Sequence, residues 1–159
     1  SDNLVAESIV LMLSGTAQWE LNTQKGLEML YQQNKTLKSQ FQQVDGSGLS
    51  RYNLASPRGL LETLDKIYET IGSTNIKTLF PQANSVGTLY DYAPKQVLDY
   101  VYAKSGSLNN NHLLAGFIFS ASKKNYAFVI SVTNYTGDKQ AVQEAIGAQL
   151  SIIYNKLIY

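Results

Sequence analysis

Between residues 98 and 134 three apolar stretches follow one another with only short polar connections, and no other feature of this sequence restricts the fold as much. Residues 98–103, 112–122 and 126–134 are rich in Val, Ile, Phe and Tyr and are bounded by Ser, Asn, Lys and Gly, the composition of strands and their turns. A polar loop at 108–111 joins the first two. Lys123-Lys124-Asn125 is short enough to close a hairpin between the last two, so neighbouring strands run antiparallel. Beyond Gly137, Val142, Ile146, Leu150, Ile153 and Leu157 recur every three or four residues, which makes one apolar face of a helix that covers the sheet. The expected class is α+β, an antiparallel sheet flanked by helices, with the 126–134 strand at an unpaired edge.

The chain before this sheet reads as helices and loops. Leu4, Val5, Ile9, Met12 and Leu13 keep helical spacing behind Ser1-Asp2-Asn3, and Gly15 stops that helix after about Ser14. Thr23 is the expected N-cap of a second helix carrying Leu27, Leu30, Tyr31 and Leu37 as far as about Lys38. Phe41 opens a short strand that enters a turn at Asp45-Gly46-Ser47-Gly48. Ser56-Pro57 is the plainest helix start, a capping hydroxyl followed by proline where an N–H is not needed. Leu60, Leu61, Leu64, Ile67, Tyr68 and Ile71 then share one face up to Gly72. Pro81, Gly87 and Pro94 punctuate residues 73–94, which are expected to form an irregular connection.

Composition narrows the chemistry. The 159 residues suit one domain, and no repeat or linker divides them. Thirteen Lys and Arg against twelve Asp and Glu, nowhere clustered, argue against nucleic acid as a partner. With no Cys and one His, His112, thiolate nucleophiles, disulfides and multi-His metal sites are excluded, and neither metal nor cofactor is expected. No apolar run approaches the roughly 20 residues of a membrane span. A start at Ser1, without Met, suggests a processed or truncated product.

Two triplets stand where one chemistry would place them. Ser1-Asp2-Asn3 opens a helix, and Lys104-Ser105-Gly106 ends or continues a strand. In this order, Ser-Asp-Asn and Lys-[Ser/Thr]-Gly occur in serine enzymes that act on D-alanyl-D-alanine termini and on β-lactams. Their surroundings match as well: Leu4-Val5-Ala6-Glu7, Val44-Asp45-Gly46-Ser47-Gly48-Leu49-Ser50-Arg51, Phe80-Pro81, Gly87-Thr88-Leu89, Ala103 with Ser107-Leu108, and Leu114-Ala115-Gly116. With them the chain resembles the peptidase family of class C low-molecular-mass penicillin-binding proteins, D-alanyl-D-alanine carboxypeptidases and endopeptidases, over nearly its whole length.

The resemblance implies a penicillin-binding transpeptidase-like (β-lactamase-like) domain. It also implies a peptidoglycan stem peptide ending in D-Ala-D-Ala as substrate, β-lactams as inhibitors, and a periplasmic location. By the same resemblance Ser1 relays a proton toward the leaving amine, and Asn3 holds the substrate peptide. Lys104 supplies positive charge beside the substrate carboxylate, and the Ser105 hydroxyl bonds that carboxylate. Gly106 lets a substrate strand approach the sheet edge, and the N–H of Ser107 is one oxyanion donor. Two departures stand out. Tyr90-Asp91-Tyr92 follows Gly-Thr-Leu where the family usually carries basic residues.

The second departure is larger. The chemistry needs a serine one helical turn before a lysine, and the sole Ser-x-x-Lys, Ser120 to Lys123, falls at the hairpin after both triplets, a chance match. The chain therefore reads as the C-terminal portion of a catalytic domain, inactive alone, whose nucleophile lies on an N-terminal portion not in this sequence. Other readings stay in view. Standing alone, Ser1-Asp2-Asn3 reads more readily as a helix cap and Lys104-Ser105-Gly106 as a strand end followed by a turn; it is their matched context that favours the site. Asp45 is expected to organise a turn, and His112 to be a surface or edge residue with no catalytic role. Trp19, Tyr90, Tyr92, Tyr100 and Tyr102 are expected to pack rather than form a ligand platform. The rival functions are a non-catalytic peptidoglycan-binding homologue and a β-lactamase, the latter weakened because no Glu-x-x-Leu-Asn stretch lies between Asn3 and Lys104. The open strand edge also admits homo-oligomers.

Overall fold

The computed structural model describes residues 2–15, 22–83, 89, 92, 99–120 and 124–158. The chain divides into two compact units, Ser1–Gly59 and Leu60–Tyr159.

In the first unit, helix α1 spans Asn3–Leu13. Asp2 caps it by accepting the Val5 N–H at 3.1 Å, and Ser14 closes it before Gly15 turns away at φ 89°. The apolar face that the spacing marks stays exposed at Leu4 (77%) and Met12 (66%), while Val10 is buried. The second helix expected from Thr23 to Lys38 is two helices, α2 (Thr23–Gln33) and α3 (Lys35–Lys38). Asn22, not Thr23, is the cap of α2, accepting the Lys25 N–H at 3.1 Å. The break falls at Asn34, whose side-chain amide donates to the Leu30 carbonyl and so takes the partner that a continuing helix would have used. At Gly26 the backbones of α1 and α2 meet: a Cβ there would lie 1.9 Å from the Val10 carbonyl oxygen.

Strand β1 (Phe41–Gln42) forms as expected and pairs antiparallel with β2 (Leu54–Ala55), a strand too short to show in the sequence pattern. Two carboxylates organise the loop between them. Asp45 accepts from the Gly48 and Ser50 N–H groups and from the Asn53 side chain, each at 2.7 Å, the turn-building role expected of it. Glu7 of α1 accepts the N–H groups of Gly46 and Ser47 at 3.0 and 2.9 Å, which ties the loop to the helix. Hydrogen bonds from the Ser47 side chain and from those two amides hold the Glu7 carboxyl below its usual range.

Helix α4 (Pro57–Leu79) starts at Ser56 as the sequence suggests, with the Ser56 hydroxyl accepting the Gly59 N–H at 3.0 Å and donating to Gln40. It does not end at Gly72. That glycine takes φ 71° and kinks the chain, which then resumes helical turns to Leu79, so the expected irregular stretch from residue 73 is corrected over its first turns. Ile76, fully buried, anchors the restarted helix, and the Asn75 side chain donates to the Ile71 carbonyl that the kink would otherwise leave free.

The second unit carries three antiparallel strands in the order β3-β4-β5: β3 (Val101–Leu108), β4 (Asn111–Phe119) and β5 (Asn125–Thr133). The expected second strand ends earlier, at Phe119. The 123–125 hairpin lies partly outside the described residues, although the Ser120 N–H donates to the Lys124 carbonyl across it. Asn110, at φ 64°, turns the two-residue connection between β3 and β4. Helix α5 (Lys139–Ile158) packs Ile146, Leu150 and Tyr154 against Val101, Ala103, Leu114 and Ile118. On the opposite face Ala115, Phe117 and Phe119 pack with Leu64 and Ile76 of α4. Tyr100 stacks on Tyr154 at 5.0 Å and Tyr102 meets Phe119 edge-on at 5.5 Å, so both serve packing; Trp19 and Tyr90 lie outside the described residues. At Gly116 β4 leaves no room for a side chain against β3, and a Cβ there would sit 2.2 Å from the Tyr102 carbonyl oxygen and 2.5 Å from Ala103 Cα. Gly116→Ala is expected to lower stability by about 1–3 kcal/mol, read as a lower midpoint in urea denaturation.

Candidate active site

The Lys104-Ser105-Gly106-Ser107 segment lies inside β3, not at the end of a strand finishing at Ala103, because the β3–β4 ladder continues to the pair Leu108 and Asn111. β3 is an outer strand of the sheet. Among the described residues its outer side is engaged near its start, where the Ala83 N–H donates to the Val101 carbonyl and the Ala103 N–H to the Pro81 carbonyl, at 2.9 and 3.0 Å. In an antiparallel strand, alternate residues direct both backbone groups to the same side. Since Val101 and Ala103 point outward, so do Ser105 and Ser107. Among the described residues, no strand pairs with that edge over 104–108. It therefore presents the N–H and C=O groups of Ser105 and Ser107 to whatever extended chain arrives.

The side chains obey the same period at right angles. Lys104 and Gly106 lie on one face of the sheet, and Ser105 and Ser107 on the other, with Val101 and Ala103. Lys104 is exposed, and its ammonium bends to the edge to donate to the outward Ser105 carbonyl at 2.5 Å. Desolvation holds its pKa below the ordinary lysine range. At Gly106 an added Cβ would meet nothing within 4 Å, so this chain's own packing does not require glycine there.

His112 corrects the sequence reading. It stands in the central strand, only 2% exposed, and is no surface or edge residue. Its Nδ1 lies 2.8 Å from the Ser107 hydroxyl across the β3–β4 ladder, and its Nε2 is hydrogen-bonded to the hydroxyl of Tyr92, itself 1% exposed. A polar residue flanked by Asn111 and Leu113 gives no hint of this in one dimension, since the partners come from the facing strand and from Tyr92. Burial, and next the positive charge of Lys139, push the His112 pKa down, so the ring is neutral near pH 7.

In the first unit Asp2 does the capping, which leaves Asn3 as the first helical residue with its carboxamide exposed. Ser1 lies outside the described residues. Ser120 follows a strand rather than opening a helix, so it lacks the geometry that spacing to a lysine was meant to supply.

The α+β arrangement, an antiparallel sheet with helices packed on it, shares its fold with penicillin-binding and β-lactamase-like proteins. The crystal structure of penicillin binding protein 4 from Haemophilus influenzae complexed with a β-lactam superposes with a TM-score of 0.77 at 27% identity, covering 99% of this chain and 39% of that one. A class A β-lactamase from Bacteroides cellulosilyticus shares the fold at a TM-score of 0.58 and 18% identity, over 84% of this chain and 58% of its own. The sequence matches the D-Ala-D-Ala carboxypeptidase 3 (S13) family over residues 1–156, and the chain belongs to that family. The D-alanyl-D-alanine carboxypeptidase DacB of Haemophilus influenzae is 32% identical over 151 residues, 89% of this chain. The chain spans 31% of that relative's length.

The neutral His112 sets a pH dependence. Its folded pKa lies below the ordinary 6.5, so beneath that pH the unfolded chain binds a proton that the folded chain resists. Stability contributed by the neutral ring is complete above about pH 6.5 and is lost as the pH falls from there toward the folded pKa. The thermal midpoint is expected to drop between pH 7.5 and pH 5, and His112→Asn to flatten that part of the curve.

Proposed function

We propose that this chain is the C-terminal portion of a periplasmic serine-type D-alanyl-D-alanine carboxypeptidase or endopeptidase that cleaves peptidoglycan stem peptides through an acyl-enzyme. The nucleophilic serine and its lysine lie on an N-terminal portion of the same polypeptide. The observation that carries this reading is the open edge of β3. A peptide laid antiparallel along it exchanges backbone hydrogen bonds with Ser105 and Ser107, and its scissile carbonyl oxygen meets the outward Ser107 N–H, one of the two donors an oxyanion needs. Lys104 places positive charge at the same edge for the substrate's terminal carboxylate, and the Ser105 hydroxyl bonds that carboxylate. Ser1 returns a proton to the departing D-alanine amine while Asn3 holds the substrate amide.

Family membership supports the substrate class. The exposed apolar face of α1 and the outer edge of β5, which pairs with no strand among the described residues, support burial against further polypeptide, or against a second copy. A fluorescent penicillin tests the reading. The full-length polypeptide is expected to be labelled covalently and the 159-residue chain alone is not. Labelling of the chain alone would place the nucleophile within it, whereas a full-length protein that binds a D-Ala-D-Ala peptide but refuses the label would be a non-catalytic homologue.

Two substitutions separate site from scaffold. Lys104→Ala is expected to slow acylation by about 100-fold or more by removing charge stabilisation. Gly106→Ala is expected to hold stability within about 0.5 kcal/mol, since the Cβ meets only open space, yet to cut acylation by crowding the substrate strand. Urea melts alongside penicillin acylation rates check both.

A further inference from the structure

Ser107 and His112 face each other at a position of the ladder where the backbone makes no bond between them. Outward-facing Val101 and Ala103 establish the alternation, and it places Ser107 and His112 among the pairs whose N–H and C=O groups point away from each other. Side chains stand closest at such pairs. The 2.8 Å contact from the Ser107 hydroxyl to His112 Nδ1 therefore adds a side-chain link at a pair where the backbone makes none, between the ladder pairs Gly106–Leu113 and Leu108–Asn111 and next to the Asn109-Asn110 turn. The imidazole is held from behind. Its Nε2 is bonded to the Tyr92 hydroxyl, and both rings are buried, tilted against each other with centroids 5.7 Å apart.

From this geometry we infer that His112 is a positioning residue for acyl transfer: backed by Tyr92, it fixes Ser107 so that the Ser107 N–H faces the substrate carbonyl along the edge of β3. The inference rests on the proposed peptidase reading and extends it to residues outside the two triplets. A neutral imidazole donates through one nitrogen and accepts through the other, so a single ring grips a hydroxyl on each side without burying a charge. Without that side-chain link Ser107 is held only through its ladder neighbours Gly106 and Leu108, and its N–H aligns less closely with the developing oxyanion, where small misplacements are costly. The cationic group facing the ring from α5 is Lys139, which favours the neutral form, and Tyr92 is the titratable group on its other side.

Two amides dissect the two contacts in the full-length protein. His112→Asn sets an amide close to where Nδ1 lies and keeps a partner for Ser107, whereas His112→Gln reaches toward Nε2 and keeps one for Tyr92. Acylation by a penicillin is followed as kinact and KI separately, on protein whose folded fraction is measured by thermal melting. His112→Asn is expected to stay within about 3-fold of wild type, and His112→Gln to lose about 10-fold or more in kinact with KI little changed. Ser107→Ala, which keeps the N–H and loses the hydroxyl, is expected to match His112→Gln, and the double variant to lose no more than either. Equal rates for the two amides, or losses that multiply in the double variant, would overturn the inference and leave the peptidase reading standing. A wild-type full-length protein that is never acylated would overturn both.

Discussion

The geometry of the site depends on a single alternation, that of backbone hydrogen bonds along β3. Pro81 and Ala83 occupy the outer side of the strand at Ala103 and Val101, and this sets which residues turn outward for the rest of its length. A slip of one residue would turn Ser105 and Ser107 inward and offer the groups of Lys104 and Gly106 instead. The register is held by burial on both faces. Val101, Ala103, Leu114 and Ile118 are committed to α5, and Ala115, Phe117 and Phe119 to α4, so a slip would drive both sets to the wrong side. Gly116 adds a steric pin, since at this pair a Cβ would collide with the Tyr102 carbonyl and Ala103 of β3. The hydrophobic core thus specifies the direction of a few polar backbone groups at an edge that the core itself does not touch.

Polar groups in both units are arranged by a shared device, a side chain that takes over backbone or hydroxyl partners where regular structure lapses. Asp45 and Glu7 gather the amides of the loop between β1 and β2, Asn34 and Asn75 satisfy carbonyls at breaks in helices, and His112 bridges Ser107 and Tyr92 where the ladder supplies no bond. Each of these side chains gives a partner to a group that regular secondary structure leaves without one at that point. They also mark the places where the chain departs from the simple periodicities of helix and strand.

Those departures are where sequence reading and structure differ. The start of α4 at Ser56-Pro57, the end of α1 at Gly15, the three strands and α5 were legible because capping chemistry and apolar periodicity act within a few residues of each other. The continuation past Gly72 was not, because its warrant is the burial of Ile76 in a cluster whose other members are distant in sequence. The division of the second helix at Asn34 depends on a side chain choosing a carbonyl four residues back, one of several local options open to asparagine. Of the candidate site, Lys104 to Ser107 stood out as a motif, while His112 was misjudged as peripheral because its partners are invisible until β3 and β4 are paired.

By itself the sequence determined the three strands in order with the helix after them, the α+β class, the family and the residues that carry the two triplets, since all of these follow from residue types at short spacings. Tertiary structure alone decided that Lys104 and Ser105 lie on opposite faces of one strand, that Ser105 and Ser107 turn their backbone groups to an open edge, and that a buried imidazole stands behind Ser107. The physical reason is that strand register and burial are properties of paired strands and packed layers, set by many distant contacts at once. No window along the chain contains them.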